Sequence, residues 1–192
     1  MLTGKEFISD YEENKEDIEK WFSIKCPEKY RRFAELLESN GEDPTWKRIV
    51  DLYRYDKRLI FNCFEYLSFL EEYLRSIVVR YEGKKESYDE WQEQNMGALE
   101  KRIIELHKEG KAGINNEFLE KDIDNVRKLR NTVSHNKILI EGPYSEYLIS
   151  LIRMLPEKYR EGCRSDLAKC VNDLEIDEHW RYSRRQMKST DN

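Results

Sequence analysis

"IVDLYRYDKRLIFNCFEYLSFLEEYLRSIVVRY", residues 49–81, sets the fold class. Apolar or near-apolar residues stand at 60, 63, 67, 70, 74, 77 and 81, in steps of three and four that keep them on one side of an α-helix. Further apolar residues at 59, 61, 64, 66, 69, 73 and 78 widen that stripe, so two faces are covered, as in a bundle's core helix rather than a free coiled coil. The pattern begins at Trp46 and predicts one helix from there to about Tyr81. Tyr53, Tyr55, Tyr66, Tyr73 and Tyr81 fall at helical spacing beside leucines and read as packing residues. Glu71 and Arg75, four apart, read as an ordinary helix-surface ion pair.

On both sides of this segment the helical period persists and no stretch alternates as a half-buried strand does, so the chain is expected to be all-α. Upstream, Phe7, Ile8, Tyr11, Ile18, Trp21 and Phe22 lie among acids, and "PEKYRRFAELLES" opens on Pro27, which suits a helix start. Two short helices are expected there. "NGEDP" at 40–44 is the clearest break, Gly41 ending one helix while Asp43 and Pro44 cap and open the next. This divides the chain into an N-terminal helical extension, 1–43, and a helical bundle, 44–192. Downstream, the polar loop 82–87 precedes a charged helix from about Tyr88 to Lys108. A second loop leads to a helix capped by Asn115 or Asn116, with Glu117 and Glu120 in its first turn and Phe118, Leu119, Ile123, Val126, Leu129 and Val133 buried. Gly142 and Pro143 form the next stop signal. Further helices are expected from about Tyr144 to Leu155 and from about Arg164 to Leu174, then a basic tail with Arg181, Arg184, Arg185 and Lys188.

Charged residues make up 38% of the chain and Gly and Pro are scarce, which fits a folded helical protein. With a net charge of -5 the molecule as a whole does not attract polyanions, so a nucleic-acid site has to be a local basic patch. Cys26, Cys63, Cys163 and Cys170 form no C-x-x-C pair and have no histidine at zinc-ligand spacing, and they are expected to be buried free thiols. No metal and no cofactor are expected. Neither a leader pattern nor an apolar run near the ~20 residues of a membrane span is present, so a cytoplasmic protein without a membrane partner is expected. His107 and His179 have no sequence neighbour that gives them a role.

"KLRNTVSHNK", residues 128–137, is the stretch that carries chemistry. No acid stands between Asn125 and Ile140, whereas Arg127, Lys128, Arg130 and Lys137 concentrate positive charge suited to holding RNA. Arginine presents a planar fork that matches phosphate oxygens, and histidine exchanges a proton near neutral pH. Together they suit phosphodiester cleavage in which a ribose 2'-hydroxyl attacks, without a metal, so DNA is expected to be a poor substrate. On an ideal helix Arg130 and His135 are about 140° apart around the axis and about 7.5 Å apart along it. Either the helix loosens near His135 or two copies of the motif build one site. Asn131 shares a face with His135 and is placed to orient it.

"LRNTVSHN" resembles the R-x4-6-H signature of the HEPN superfamily, including the Asn that commonly follows the Arg. The segment 49–81, with "LYRYD" and E-x-x-x-R at Glu71 and Arg75, is similar to the Abi-type abortive-infection proteins of that superfamily. The resemblance spans about residues 45–155. It implies a HEPN-like all-α bundle, Arg130 and His135 as the catalytic pair, Asn131 as a supporting polar group and Glu71 as an auxiliary carboxylate. It also implies a homodimer, because the chain has one motif and such sites form where two units meet. Lys137 stands where one subgroup carries a modifiable tyrosine, so adenylylation by a nucleotidyltransferase antitoxin is not expected. The expected function is a metal-independent endoribonuclease in antiphage defence or a toxin-antitoxin setting, with an antitoxin or a regulatory RNA or protein as partner. The alternative is a non-catalytic HEPN module that binds structured RNA or a protein.

Overall fold

A computed structural model describes residues 3–82, 93–111 and 119–182. Among these residues the chain is all-helical, with no strand. The helices are α1 (Tyr11–Phe22), α2 (Pro27–Ser39), α3 (Trp46–Glu82), α4 (Met96–Lys108), α5 (Leu119–Ser134), α6 (Tyr144–Met154) and α7 (Glu157–Lys169), followed by a 3-10 turn at Glu178–Trp180. The long helix read from residues 49–81 is α3. No helix among the described residues is long and apolar enough to cross a membrane, α3 being interrupted throughout by charges. The expected caps Asn115 and Asn116, with Glu117, Phe118, Arg184, Arg185 and Lys188, lie outside the described residues.

The described residues fall into two compact units, one of 3–58 with Cys170–Arg181 and one of the described parts of Leu59–Lys169 with Tyr182. The first therefore reaches past the break at 40–44. Its core is aromatic: Phe22 meets Phe7, Tyr30 and Trp46, and Tyr30 stacks on Tyr53 with ring centres 5.0 Å apart. Gly4 makes room for it, since a Cβ there would stand 2.9 Å from the Phe22 ring and the backbone φ is +97°. Gly41, at φ +75°, ends α2 as expected, with Glu42 N–H bonding back to Leu37 O and Gly41 N–H to Glu38 O. The start of α3 differs from the expected Asp43–Pro44 cap. Helical bonding begins at Thr45, and the Trp46 N–H is satisfied by Asp10 Oδ1 at 2.7 Å, a partner 36 residues upstream. The segment after α7 returns to this unit, where Arg58 donates to Cys170 O, and Glu42 accepts from Trp180 Nε1 and from His179 Nε2, each at 2.8 Å. His179 thus has a partner that its sequence neighbours did not indicate.

In the second unit, Leu59, Cys63, Leu67, Leu70, Leu74 and Val78 of α3 are buried with Leu99 and Ile103 of α4, Ile123, Val126 and Leu129 of α5, and Leu148 and Leu151 of α6. Burying such side chains contributes roughly 1.5–3 kcal/mol each. α5 packs on α4 and α6, and α6 on α7. A buried polar relay fixes α5 against α6: Asn125 Nδ2 donates to Ser150 Oγ at 3.0 Å, and Ser150 Oγ donates to Asp122 Oδ1 at 2.7 Å.

Two helix boundaries depart from the sequence reading. α4 begins at Met96, because Asn95 is extended and its side chain accepts the Ala98 N–H at 3.0 Å, and the expected start at Tyr88 lies outside the described residues. α7 begins at Glu157 rather than near Arg164 and ends at Lys169. Its apolar stripe is thin, with only Cys163 and Leu167 buried, and Gly162 in its interior reads as a breaker. Cys63, Cys163 and Cys170 are buried thiols outside any disulfide, whereas Cys26 is exposed.

Candidate active site

Helix α5 sets its burial stripe through Leu119, Ile123, Val126, Leu129 and Val133, and this stripe fixes where its polar residues stand. Arg130 flanks the stripe, and its Nε donates to Glu71 Oε1 of α3 at 3.1 Å. The other oxygen of Glu71 accepts from Arg75 Nη1 at 3.3 Å, and Arg75 Nη2 reaches Gln94 O at 3.2 Å. Glu71 is therefore more than half of a helix-surface pair. It bridges two arginines, and one carboxylate between two guanidiniums leaves one positive charge in excess. The Glu71 side chain is 19% exposed and that of Arg130 40%, so the carboxylate sits inside while the guanidinium meets solvent. Because the bond to Glu71 uses Nε, the terminal nitrogens of the Arg130 fork are not spent on it. Glu71 and Arg130 open on a pocket of about 200 Å³ bounded by Phe64, Ser68, Val133 and Ser134.

His135 caps the C-terminus of α5. Its N–H still bonds to Asn131 O at 3.1 Å in the helical pattern, and the chain turns one residue later. Asn136 takes the left-handed conformation at φ 51°, its N–H bonds to Val133 O, and Lys137 N–H bonds to Thr132 O. This is a Schellman ending with asparagine in the place usually held by glycine. The helical pattern thus holds up to the His135 N–H and ends in the turn that follows it. His135, Asn131 and Lys137 are exposed, and none of them lines the pocket with Arg130.

Arg127 and Lys128 are drawn elsewhere. Arg127 pairs with Glu100 of α4 at 3.1 Å and with Asp124, and Lys128 pairs with Asp124 at 2.6 Å. The hydrogen bond from Lys128, then that from Arg127, holds the Asp124 carboxyl below the ordinary carboxylate range. Glu100 is pushed the other way, mainly by burial, despite Arg127. The positive stretch seen in sequence is thus largely neutralised, by an acid three and four residues upstream and by a carboxylate from a neighbouring helix. Sequence reasoning missed Ser68, Ser134 and Phe64 as pocket residues. Phe61 and Phe64, counted in the sequence among the residues that widen the covered stripe of α3, are instead 74% and 62% exposed.

No protein-family model, curated protein or solved structure matches the chain. The described residues define an all-α protein in which Arg130 and Glu71 line a small pocket and Arg75 holds the same carboxylate, with a histidine at the end of the Arg130 helix.

Proposed function

We propose that this chain is a metal-independent endoribonuclease of HEPN type acting as a symmetric homodimer. The observation that carries the reading is the Arg130–Glu71 hydrogen bond, which joins the two sequence segments on which the HEPN resemblance rests. Glu71 aims the guanidinium and shares its charge with Arg75. The outer edge of Arg130 then takes the non-bridging oxygens of a scissile phosphate and stabilises the charge that builds there. His135 removes the proton of the ribose 2'-hydroxyl as its oxygen bonds to phosphorus, and the bond to the 5'-oxygen breaks as that oxygen takes a proton from water. The products are a 2',3'-cyclic phosphate and a 5'-hydroxyl. Within one chain His135 does not share the Arg130 pocket, so the acting histidine comes from the second copy. The exposed ring of Phe64 at the pocket, with that of Phe61 one turn before it on α3, supplies the apolar surface such a copy would cover. The setting, antiphage defence or a toxin-antitoxin pair with an antitoxin or regulatory partner, rests on the resemblance alone.

A second reading, a non-catalytic module binding structured RNA or a protein, is favoured by one observation: Arg127 and Lys128 are engaged with acids rather than offered to a substrate. One assay separates the two. Pure protein incubated with total RNA in EDTA is expected to cut it and leave 2',3'-cyclic or 3'-phosphate ends. Intact RNA at high protein excess, or cutting only on added magnesium, would favour the module.

A further inference from the structure

Another cavity, of about 310 Å³, lies between α3 and the start of α7 and shares no lining residue with the Arg130 pocket. It stands at the small end of the range for ligand pockets. Two rings dominate its wall. Phe69 of α3 stacks on Tyr159 of α7 with the planes 15° apart and the ring centres at 5.4 Å. Carbon atoms in contact lie about 3.5–4 Å apart, so these nearly parallel rings are offset and part of each face stays uncovered. Phe69 is 37% exposed, yet it is held in place: buried Tyr66 meets it edge-on at 6.1 Å, and the Tyr66 hydroxyl is bonded to Asp166 of α7. The turn that brings Pro156 and Tyr159 to the cavity is fixed as well. Arg160 donates from Nε to Leu155 O and from Nη2 to Arg153 O, both at 2.9 Å. The aromatic wall therefore stands ready-made, which lowers the entropy a ligand must overcome on binding.

Tyr73 adds a third ring to the lining, and two charges complete it. Lys158 Nζ stands 4.8 Å from the centre of the Tyr159 ring, and Glu72 faces the same cavity from α3. Both are exposed, and neither is spent on an ion pair among the described residues. An external cation is a poor occupant, because Lys158 already holds the place over the ring and would repel it. An uncharged ring with an anionic tail fits, and an N–H on the edge of that ring would meet the carboxylate. We infer that this cavity binds a nucleotide, its base stacked on the Phe69–Tyr159 wall with an edge N–H given to Glu72, and its phosphate held by Lys158. Guanine is the base of choice, since its two adjacent N–H donors match the two oxygens of one carboxylate. None of this depends on the RNA-cleaving reading.

The test titrates the full chain, by calorimetry, with guanosine monophosphate, uridine monophosphate and unphosphorylated guanosine. A further arm uses a short single-stranded 2'-O-methyl oligonucleotide with one guanine among uracils, which has no free 2'-hydroxyl and so is not cut. Guanosine monophosphate is expected to bind about tenfold tighter than uridine monophosphate. Tyr159→Ala should weaken it about tenfold, whereas Tyr159→Phe should keep the affinity, because the ring and not the hydroxyl stacks. Lys158→Ala should weaken the monophosphate and leave guanosine unchanged, and Glu72→Gln should erase the preference for guanine. An oligonucleotide that binds more tightly than the monophosphate, and is weakened by the same variants, identifies single-stranded RNA as the source of the nucleotide. Binding of the monophosphate alone identifies the free nucleotide. Absence of saturable binding in every arm would overturn the inference, as would binding that neither Tyr159→Ala nor Lys158→Ala changes.

Discussion

Arg130 is held by its inner nitrogen, so the consequence of changing it depends on geometry more than on charge. Arg130→Ala is expected to lower RNA cutting by about 10²–10³-fold, the scale of losing one aimed donor at a charged transition state. Arg130→Lys is not expected to rescue, because a point charge cannot bond Glu71 and a phosphate together as a planar fork does. Glu71→Gln should weaken cutting without abolishing it, and an unchanged rate would leave Glu71 a structural residue. The pair is partly solvent-exposed, so each variant should stay within about 1 kcal/mol of the parent in denaturant melts. At this scale the sequence shows where a cation stands, as at Arg130. It was opaque where partners decide. Glu71 lies 59 positions from Arg130 and Glu100 lies on another helix from Arg127, and no local spacing reveals either contact.

The end of α5 shows what an element can hide. The left-handed Asn136 aims the chain away just after His135, and the Gly142–Pro143 pair, the more conspicuous stop signal, stands beyond the point where the helix has already ended. Asn136→Ala forces a Cβ-bearing residue without the local tolerance of asparagine into that conformation and should cost about 1 kcal/mol, whereas Asn136→Gly should be neutral or slightly stabilising. If Asn136 only shapes the backbone, Asn136→Gly keeps full RNA cutting. α7 offers a second test. Tyr66 Oη donates to Asp166 Oδ2 at 2.8 Å, and a Cβ on Gly162 would stand 3.3 Å from that hydroxyl. Tyr66→Phe should lose about 1 kcal/mol at pH 7. The Tyr66 bond, then that of Lys169, holds the Asp166 carboxyl below its ordinary value, so this contribution is present above the ordinary carboxylate range and is lost as pH falls through the folded value. The gap between the two proteins should therefore close in acid melts. Gly162→Ala should gain little alone, but in the Tyr66→Phe background, with the hydroxyl gone, it should recover about 1 kcal/mol of helix propensity. Helices with broad apolar stripes, such as α3, were legible from sequence. Those set by a cap or a glycine inside, such as α4 and α7, were not, because their boundaries depend on a single backbone angle or side-chain bond.

At the scale of the whole molecule, with its net charge of -5, the pairing of Arg127 and Lys128 leaves Arg130 and Lys137 as the cations that the 127–137 stretch of a proposed dimer would offer to RNA. About four phosphate contacts per dimer give an expected slope of log affinity against log salt near ~-3, shallower than the bare run of positive residues implies. A slope near ~-6 would mean that RNA displaces Asp124 and Glu100 from their partners. Assembly itself is tested through the exposed rings of α3. Phe61→Glu with Phe64→Glu alters residues that are exposed in the single chain, so its helix content should hold while sizing shifts to monomer and cutting is lost. The sharper experiment mixes Arg130→Ala chains with His135→Ala chains, each inactive alone. A site that takes its arginine from one chain and its histidine from the other leaves one intact site in each mixed dimer. Random exchange makes about half the dimers mixed, so cutting near a quarter of the unaltered rate is expected. If both residues must come from one chain, every dimer carries two broken sites and the mixture stays inactive. That outcome would return the problem to the end of α5, where His135 would have to swing toward Arg130 by unwinding the turn that its own N–H and Asn136 now close.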